Sequence, residues 1–362
     1  MSKKNLSILT PSFFFLIVVI LISGCINNNQ GNSLNNNNIT PETWKMEEVW
    51  NVSTVGIPFM DLRPDGGLAA AIDHNNAILY LAKPNGESKK FNVQENDWGS
   101  PLVVGVFIIN DSAYVPATYA EFEGARVYTW EGLSNEIKLQ EGIVRGGIDT
   151  AARSPNGMHV CYLRTGTLYC DDWKFDIGNM SNMLSVSDDG YVVVGPENPI
   201  LVLKDGKVVS SINASSNMAL AYKDKIITQM NNGLAVLNPE GKILASNNNF
   251  SFNVGALLKI IPVPSEKYLF AFKAFEKTHV LDWNLKEVRT LPGYPEFAND
   301  NFVVTSDNGI IHCYSLKDFH EVFNVTVPGD SIGYIKLSND GKVMLVSGET
   351  GGFYLYRGAR KE

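Results

Sequence analysis

Metal-site spacings are missing from this chain of 362 residues. Its 4 cysteines and 5 histidines include no Cys-x-x-Cys and no His-x-x-x-His pair, the patterns that gather zinc ligands. The Asp-x-Asp-x-Asp-Gly ladder of a calcium loop is absent as well. Asp171-Asp172, Asp188-Asp189 and Asp340 sit among turn residues instead, where a carboxylate bonds nearby backbone amides. Charge is scarce, at 19% of residues, and the formal balance is −8. No stretch concentrates Lys and Arg, which excludes the basic surface that nucleic acid requires. After residue 44 no window of about a dozen residues keeps a 3.6-residue apolar period, so no substantial helix is expected there.

The one long apolar run lies at the start. Lys3 and Lys4 precede Phe13 to Ile22, and Ile22-Ser23-Gly24-Cys25 follows. Pro11 interrupts the beginning of the run, and a full span normally takes about 20 residues. Small residues before a cysteine at the end of a short apolar run resemble the prokaryotic lipobox. That resemblance implies cleavage before Cys25 and a diacylglyceryl group on its sulfur; an uncleaved membrane anchor is the alternative. Under either reading the basic end stays inside and the rest of the chain lies outside. Ile26 to Thr40 is mostly Asn with almost no apolar mass, and such a segment cannot offset its ordering entropy. Residues 1–24 are therefore assigned to a signal peptide and 25–43 to the lipidated cysteine and a flexible tether. As a coil, the tether would hold the domain on the order of 20 Å from the membrane.

What fills residues 44–362 is a recurring phrase: an apolar strand, a tight turn, a second apolar strand. The turn reads Arg63-Pro64-Asp65-Gly66, Ser154-Pro155-Asn156-Gly157, Ser187-Asp188-Asp189-Gly190 and Ser338-Asn339-Asp340-Gly341. A second set reads Lys83-Pro84-Asn85-Gly86, Lys204-Asp205-Gly206 and Asn238-Pro239-Glu240-Gly241. Units begin near Pro58, Pro101, Ile148, Met183, Met218, Leu257, Glu296 and Ile332, about 39 residues apart, a period that signals one supersecondary unit copied many times. Each unit offers four short strands, but the last ends one strand short. Glu48-Val49-Trp50-Asn51-Val52-Ser53, ahead of the first complete unit, supplies a spare. The expected fold is therefore all-β, a β-propeller of eight four-stranded blades closed by its N-terminal strand. Seven blades remain the alternative, because Glu121-Phe122-Glu123-Gly124 falls inside a long, irregular second unit.

These units carry a resemblance. Asn232-Gly233-Leu234-Ala235-Val236-Leu237-Asn238-Pro239-Glu240-Gly241-Lys242-Ile243-Leu244 is similar to the repeats of quinoprotein-like (PQQ-like) propellers, and the Ser-Asn-Asp-Gly-Lys turn resembles those of WD40-like propellers. The likeness runs from Trp44 to Arg357 and implies a fold, with little chemistry. The Trp-Asp ending of WD40 units does not recur, and the six tryptophans are scattered. Eight-bladed lipoprotein propellers of this look act as scaffolds in envelope assembly, which implies a non-catalytic platform, with no cofactor, for protein or glycan partners. A quinone-cofactor dehydrogenase is the competing class; it would need carboxylates and an Asn gathered at the central channel.

Cys161 and Cys170 flank Thr165-Gly166. If those two residues form the turn, Arg164 pairs with Thr167 and the cysteines face each other where Cα atoms approach to about 4.5 Å. A disulfide is then expected outside the cell, with two buried thiols as the alternative. Cys313 reads as a core residue. Gly329-Asp330-Ser331-Ile332-Gly333 matches the nucleophile-elbow pattern, but that elbow must open a helix and no helical pattern follows, so Ser331 reads as a loop residue. Irregular loops should share the face opposite the regular turns, and they carry aromatic rings: Trp98, Tyr119, Phe122 and Phe275. Rings on variable loops over a rigid scaffold are common binding-surface materials; equally, they could fold back as packing.

Overall fold

The computed structural model describes residues 43–54, 58–73, 75–93, 101–119, 121–141, 148–178, 183–195, 199–213, 219–230, 233–250, 257–273, 277–327, 332–348 and 351–360. The repeated turn explains how each sheet begins. In Ser338-Asn339-Asp340-Gly341 the Ser338 hydroxyl accepts from the Val343 amide at 2.9 Å and donates to Asp340 Oδ1 at 2.6 Å. Gly341 N donates to the Ser338 carbonyl at 2.9 Å. Ser154 and Ser187 act alike, accepting from the His159 and Tyr191 amides. The closing glycines sit at φ of 73 to 77° (Gly66, Gly157, Gly190 and Gly341), a region that L side chains avoid. Serine supplies the acceptor and glycine the conformation; that is why the pair recurs.

Each turn joins two antiparallel strands, and the sheets follow one another along the chain. Seven have four strands and one has five, so the blade number is eight. The first strands of successive sheets contact each other. Ile148–Arg153 lies beside Met183–Val186, which lies beside Ala219–Tyr222; Leu257–Pro262 lies beside Tyr294–Ala298, which lies beside Ile332–Leu337. Ile332–Leu337 then touches Pro58–Leu62 of the first blade, which closes a ring. These innermost strands begin at, or within two residues of, all eight positions expected from the repeat. Outermost strands such as Lys207–Ile212 and Glu287–Leu291 are largely exposed.

The last blade is completed from the other end of the chain. Trp44–Val52 pairs antiparallel with Phe353–Arg360, placing Trp50 opposite Leu355 and Asn51 opposite Tyr354. Aliphatic cores form between blades rather than within them. Met60, Leu62, Ala69 and Ala71 of blade 1 pack on Val343, Leu345, Phe353 and Leu355 of blade 8, and each large side chain buried this way contributes roughly 1.5–3 kcal/mol. The described residues contain one helical turn, Asn248–Phe250.

Blade 2 departs from the pattern for a stated reason. Its second strand, Ser112–Thr118, carries Pro116, which has no amide proton to give the ladder. Opposite it the inner strand breaks into Leu102–Val103 and Phe107–Ile109, and Val104 N still donates to the Pro116 carbonyl at 3.0 Å. Its outer strands, Phe122–Thr129 and Gly132–Glu141, are longer than those of blades 1 and 3 to 7. The irregular Glu121–Gly124 segment thus opens a third strand.

Candidate binding site at the propeller axis

Antiparallel order places the first and third turns of every blade at one end of the ring, the turn end. The remaining connections lie at the other, the loop end. Polar side chains on innermost strands gather at both ends of the axis. Near the turn end, Asp61 of blade 1 accepts from Arg153 Nη2 of blade 3 at 2.7 Å and from the Ile108 amide of blade 2 at 2.8 Å. Lys336 of blade 8 lies 3.5 Å away. One carboxylate therefore ties four consecutive blades. Burial acts to raise the Asp61 pKa, but Lys336 and Arg153 outweigh it and hold the group below its ordinary 3.8.

At the loop end a second group spans blades 6 to 8. Lys259 Nζ meets Glu296 Oε2 at 2.9 Å, and Ser306 donates to the other Glu296 oxygen at 2.7 Å. The same ammonium lies 4.7 Å from the Tyr294 ring centre, and Phe272 meets that ring in a T-shaped contact at 4.8 Å. Burial pushes the Tyr294 phenol up to about 12, helped by the charges of Glu296 and Tyr334, so it stays a hydrogen-bond donor at neutral pH. Tyr334, two residues from Lys336 and on the same strand face, is 53% exposed. The arrangement offers aromatic faces and a phenol donor around a charge pair that is already neutralised. Such a set can bind and orient a polar ligand.

Tyr119 lies in the connection between the second and third strands of blade 2, at the loop end, and Phe122 opens the third strand. Their rings stack at 4.7 Å and are 7% and 2% exposed. Arg126 Cζ lies 4.6 Å from the Tyr119 ring centre, while its guanidinium donates to Glu136 and to the Val93 carbonyl. The Tyr119 hydroxyl donates to the Val115 carbonyl at 2.6 Å. Here both rings are packing. Glu123, fully buried, pairs with Arg164 of blade 3 beside them. Trp98, Phe275, Cys25 and Ser331 lie outside the described residues; the residues after Ser331 form a strand, Ile332–Leu337.

Cys161 and Cys170 are cross-strand partners, as are Arg164 and Thr167, and the two sulfurs are bonded. Cys313 is a buried free thiol whose pKa burial pushes well up. Among the described residues no three His, Cys, Asp or Glu side chains converge as a metal site. Sequence reasoning missed both axial groups. Asp61 and Arg153 are 92 residues apart, and no local pattern links them. Lys259 and Glu296 are 37 apart, close to one repeat, so opposite charges at matched positions of successive units were a usable signal.

Fold and ring closure define the class: an eight-bladed, WD40-like β-propeller. Two solved structures support it, the C-terminal WD40 domain of Sif2 and the computationally designed Ika8 protein. Each has a TM-score of 0.64 and 12% identity over 86% of this chain, covering 98% and 99% of their own; at that identity they show the fold alone. No family model matches the chain. It belongs to one family with an uncharacterized protein of Archaeoglobus fulgidus, to which it is 47% identical over 321 residues, covering 87% of this chain and 90% of the relative.

Proposed function

We propose that this protein is a membrane-anchored lipoprotein held outside the cytoplasmic membrane or in the cell envelope, whose propeller is a non-catalytic scaffold for a protein or glycan partner. The observation that carries the anchoring is Ile22-Ser23-Gly24-Cys25 at the end of a short apolar run behind two lysines. The Cys161–Cys170 bond supports it, because such bonds persist in oxidising compartments. For the binding role the support is the loop-end group around Tyr294 and Tyr334: exposed aromatic surface on rigid strands, with its charges internally paired. Asp61, locked between two cations, is a structural tie rather than a proton donor.

Intact-mass measurement of the protein extracted from membranes tests the anchor. The expected species begins at Cys25 and carries a diacylglyceryl group, and Cys25→Ser abolishes it; a full-length, unmodified chain contradicts the reading. Crosslinking in intact membranes tests the scaffold. Tyr294→Ala with Tyr334→Ala should lower partner recovery about tenfold, the loss expected for a hot spot. Unchanged recovery removes this end of the axis from the binding surface.

A further inference from the structure

The outermost strands share an irregularity. In blades 4, 5, 6 and 7 the register slips by one residue just after the last turn, leaving Val209, Leu244, Val288 and Val322 as the extra residues of β-bulges. A bulge residue has no partner across the ladder and turns its side chain off the regular alternation. In blade 7 the site is covered: Val322 is 2% exposed and packs with Trp44 and Met46 of the N-terminal strand. In the three preceding blades no described residue covers it. Val209, Leu244 and Val288 are 36%, 53% and 50% exposed, and their neighbours Val208 and Ile243 are 47% and 45%. Five aliphatic side chains therefore stand out at matched heights on three adjacent blades, all near the turn end.

We infer that this sector of the rim rests on the lipid surface to which the chain is anchored; the inference builds on the anchored reading above. The tether supplies the physical reason. Trp44 starts the outer strand of blade 8 at the turn end, so the chain enters the propeller there, and only residues 26–43 separate it from Cys25. A link of that length raises the effective concentration of membrane at the domain to the order of millimolar or above, so aliphatic contacts too weak to recruit a free protein become sufficient. The side chains stand on separate outer strands at one height rather than lining a groove, which suits a flat partner. Exposed Lys207, Lys242 and Lys286 lie beside them, without an ion partner among the described residues. Asp205 and Glu240 share the same turns, and Glu287 is paired with His279. The sector is thus close to neutral, and docking depends on shallow insertion into the acyl boundary rather than on anionic lipid.

The test uses the full chain, anchored through its own N-terminus in phosphatidylcholine vesicles, with a nitroxide at Val208→Cys, Ile243→Cys or Val288→Cys. A label at Leu102→Cys, exposed on the inner strand of blade 2, is the aqueous reference. The ratio of oxygen to nickel-chelate collisions should rise about threefold or more at the rim positions relative to Leu102, with no change when anionic lipid is added. Rim labels matching the reference in protein that floats with the vesicles overturn the docking while leaving the anchor intact. Labels shielded from both reagents mean that protein covers the sector, and overturn it too. Protein that does not float overturns the anchor itself, and the docking with it.

Discussion

Blade 7 and the three blades before it meet the same design problem in two ways. All four place an aliphatic residue in a bulge of the outer strand. In blade 7 the side chain is sealed because Trp44 reaches across from blade 8, its ring 6.0 Å from Phe302 and 6.4 Å from Phe323, its indole N–H donating to the Gly341 carbonyl at 3.2 Å. Among the described residues, blades 4 to 6 have no such flap. The difference shows that the N-terminal strand does two jobs: it completes the ladder of blade 8, and it caps the rim of its neighbour. A bulge residue is therefore core or surface according to what the next blade carries.

The largest expected effect comes from removing the cap. Trp44→Ala should destabilise the propeller by about 3–5 kcal/mol, the cost of emptying a buried aromatic site, measured by denaturant unfolding. A loss below about 1 kcal/mol would mean that the rim of blade 7 does not depend on it.

The axis differs from the rim in that its contribution depends on pH. Asp61→Ala strands Arg153 against the blade and should cost about 3 kcal/mol. Because the folded Asp61 pKa lies below 3.8, its contribution is complete above that value and disappears as pH falls through the folded pKa. Asp61→Asn should accordingly flatten the acid limb of the stability profile, and an unaltered limb would exclude the tie.

Blade 3, whose outer strand has no bulge, is stapled instead. Reduction of Cys161–Cys170, or Cys161→Ser with Cys170→Ser, should cost about 2–3 kcal/mol for so short a loop, read as a lower midpoint in denaturant.

The smallest effects make the most direct comparison. Val322→Ala should cost about 2 kcal/mol, whereas Val209→Ala and Leu244→Ala in detergent should stay within about 0.5 kcal/mol. Equal losses at the three positions would erase the distinction between sealed and open rims.

Much of this arrangement was legible in the residues. Ser-x-x-Gly turns repeat because a buried hydroxyl and a positive φ are both required locally, so they announced every blade they begin. The Trp50 region could be assigned to the final hairpin by counting strands, and Cys161 opposite Cys170 followed from a two-residue turn. Contacts that depend on distant parts of the ring left no trace of that kind. Tyr119 and Phe122 read as loop aromatics; the residue that turns them inward is Arg126, a lone cation within a mostly buried strand, whose partners Val93 and Glu136 come from a different blade and a different strand. Asp61, Arg153 and Lys336 meet only once the ring is closed. The bulges were invisible because one extra residue in an outer strand keeps the composition and merely shifts the alternation.

Amide hydrogen exchange across Trp44–Val52 tests the closed ring most directly. Pairing with Phe353–Arg360 along one edge of this outermost strand predicts that the amides donating across the ladder, about every second one, exchange as slowly as those of the inner strands, only on global opening. If the segment exchanges at the rate of a frayed terminus while the other strands stay protected, the N-terminal strand does not seal the propeller.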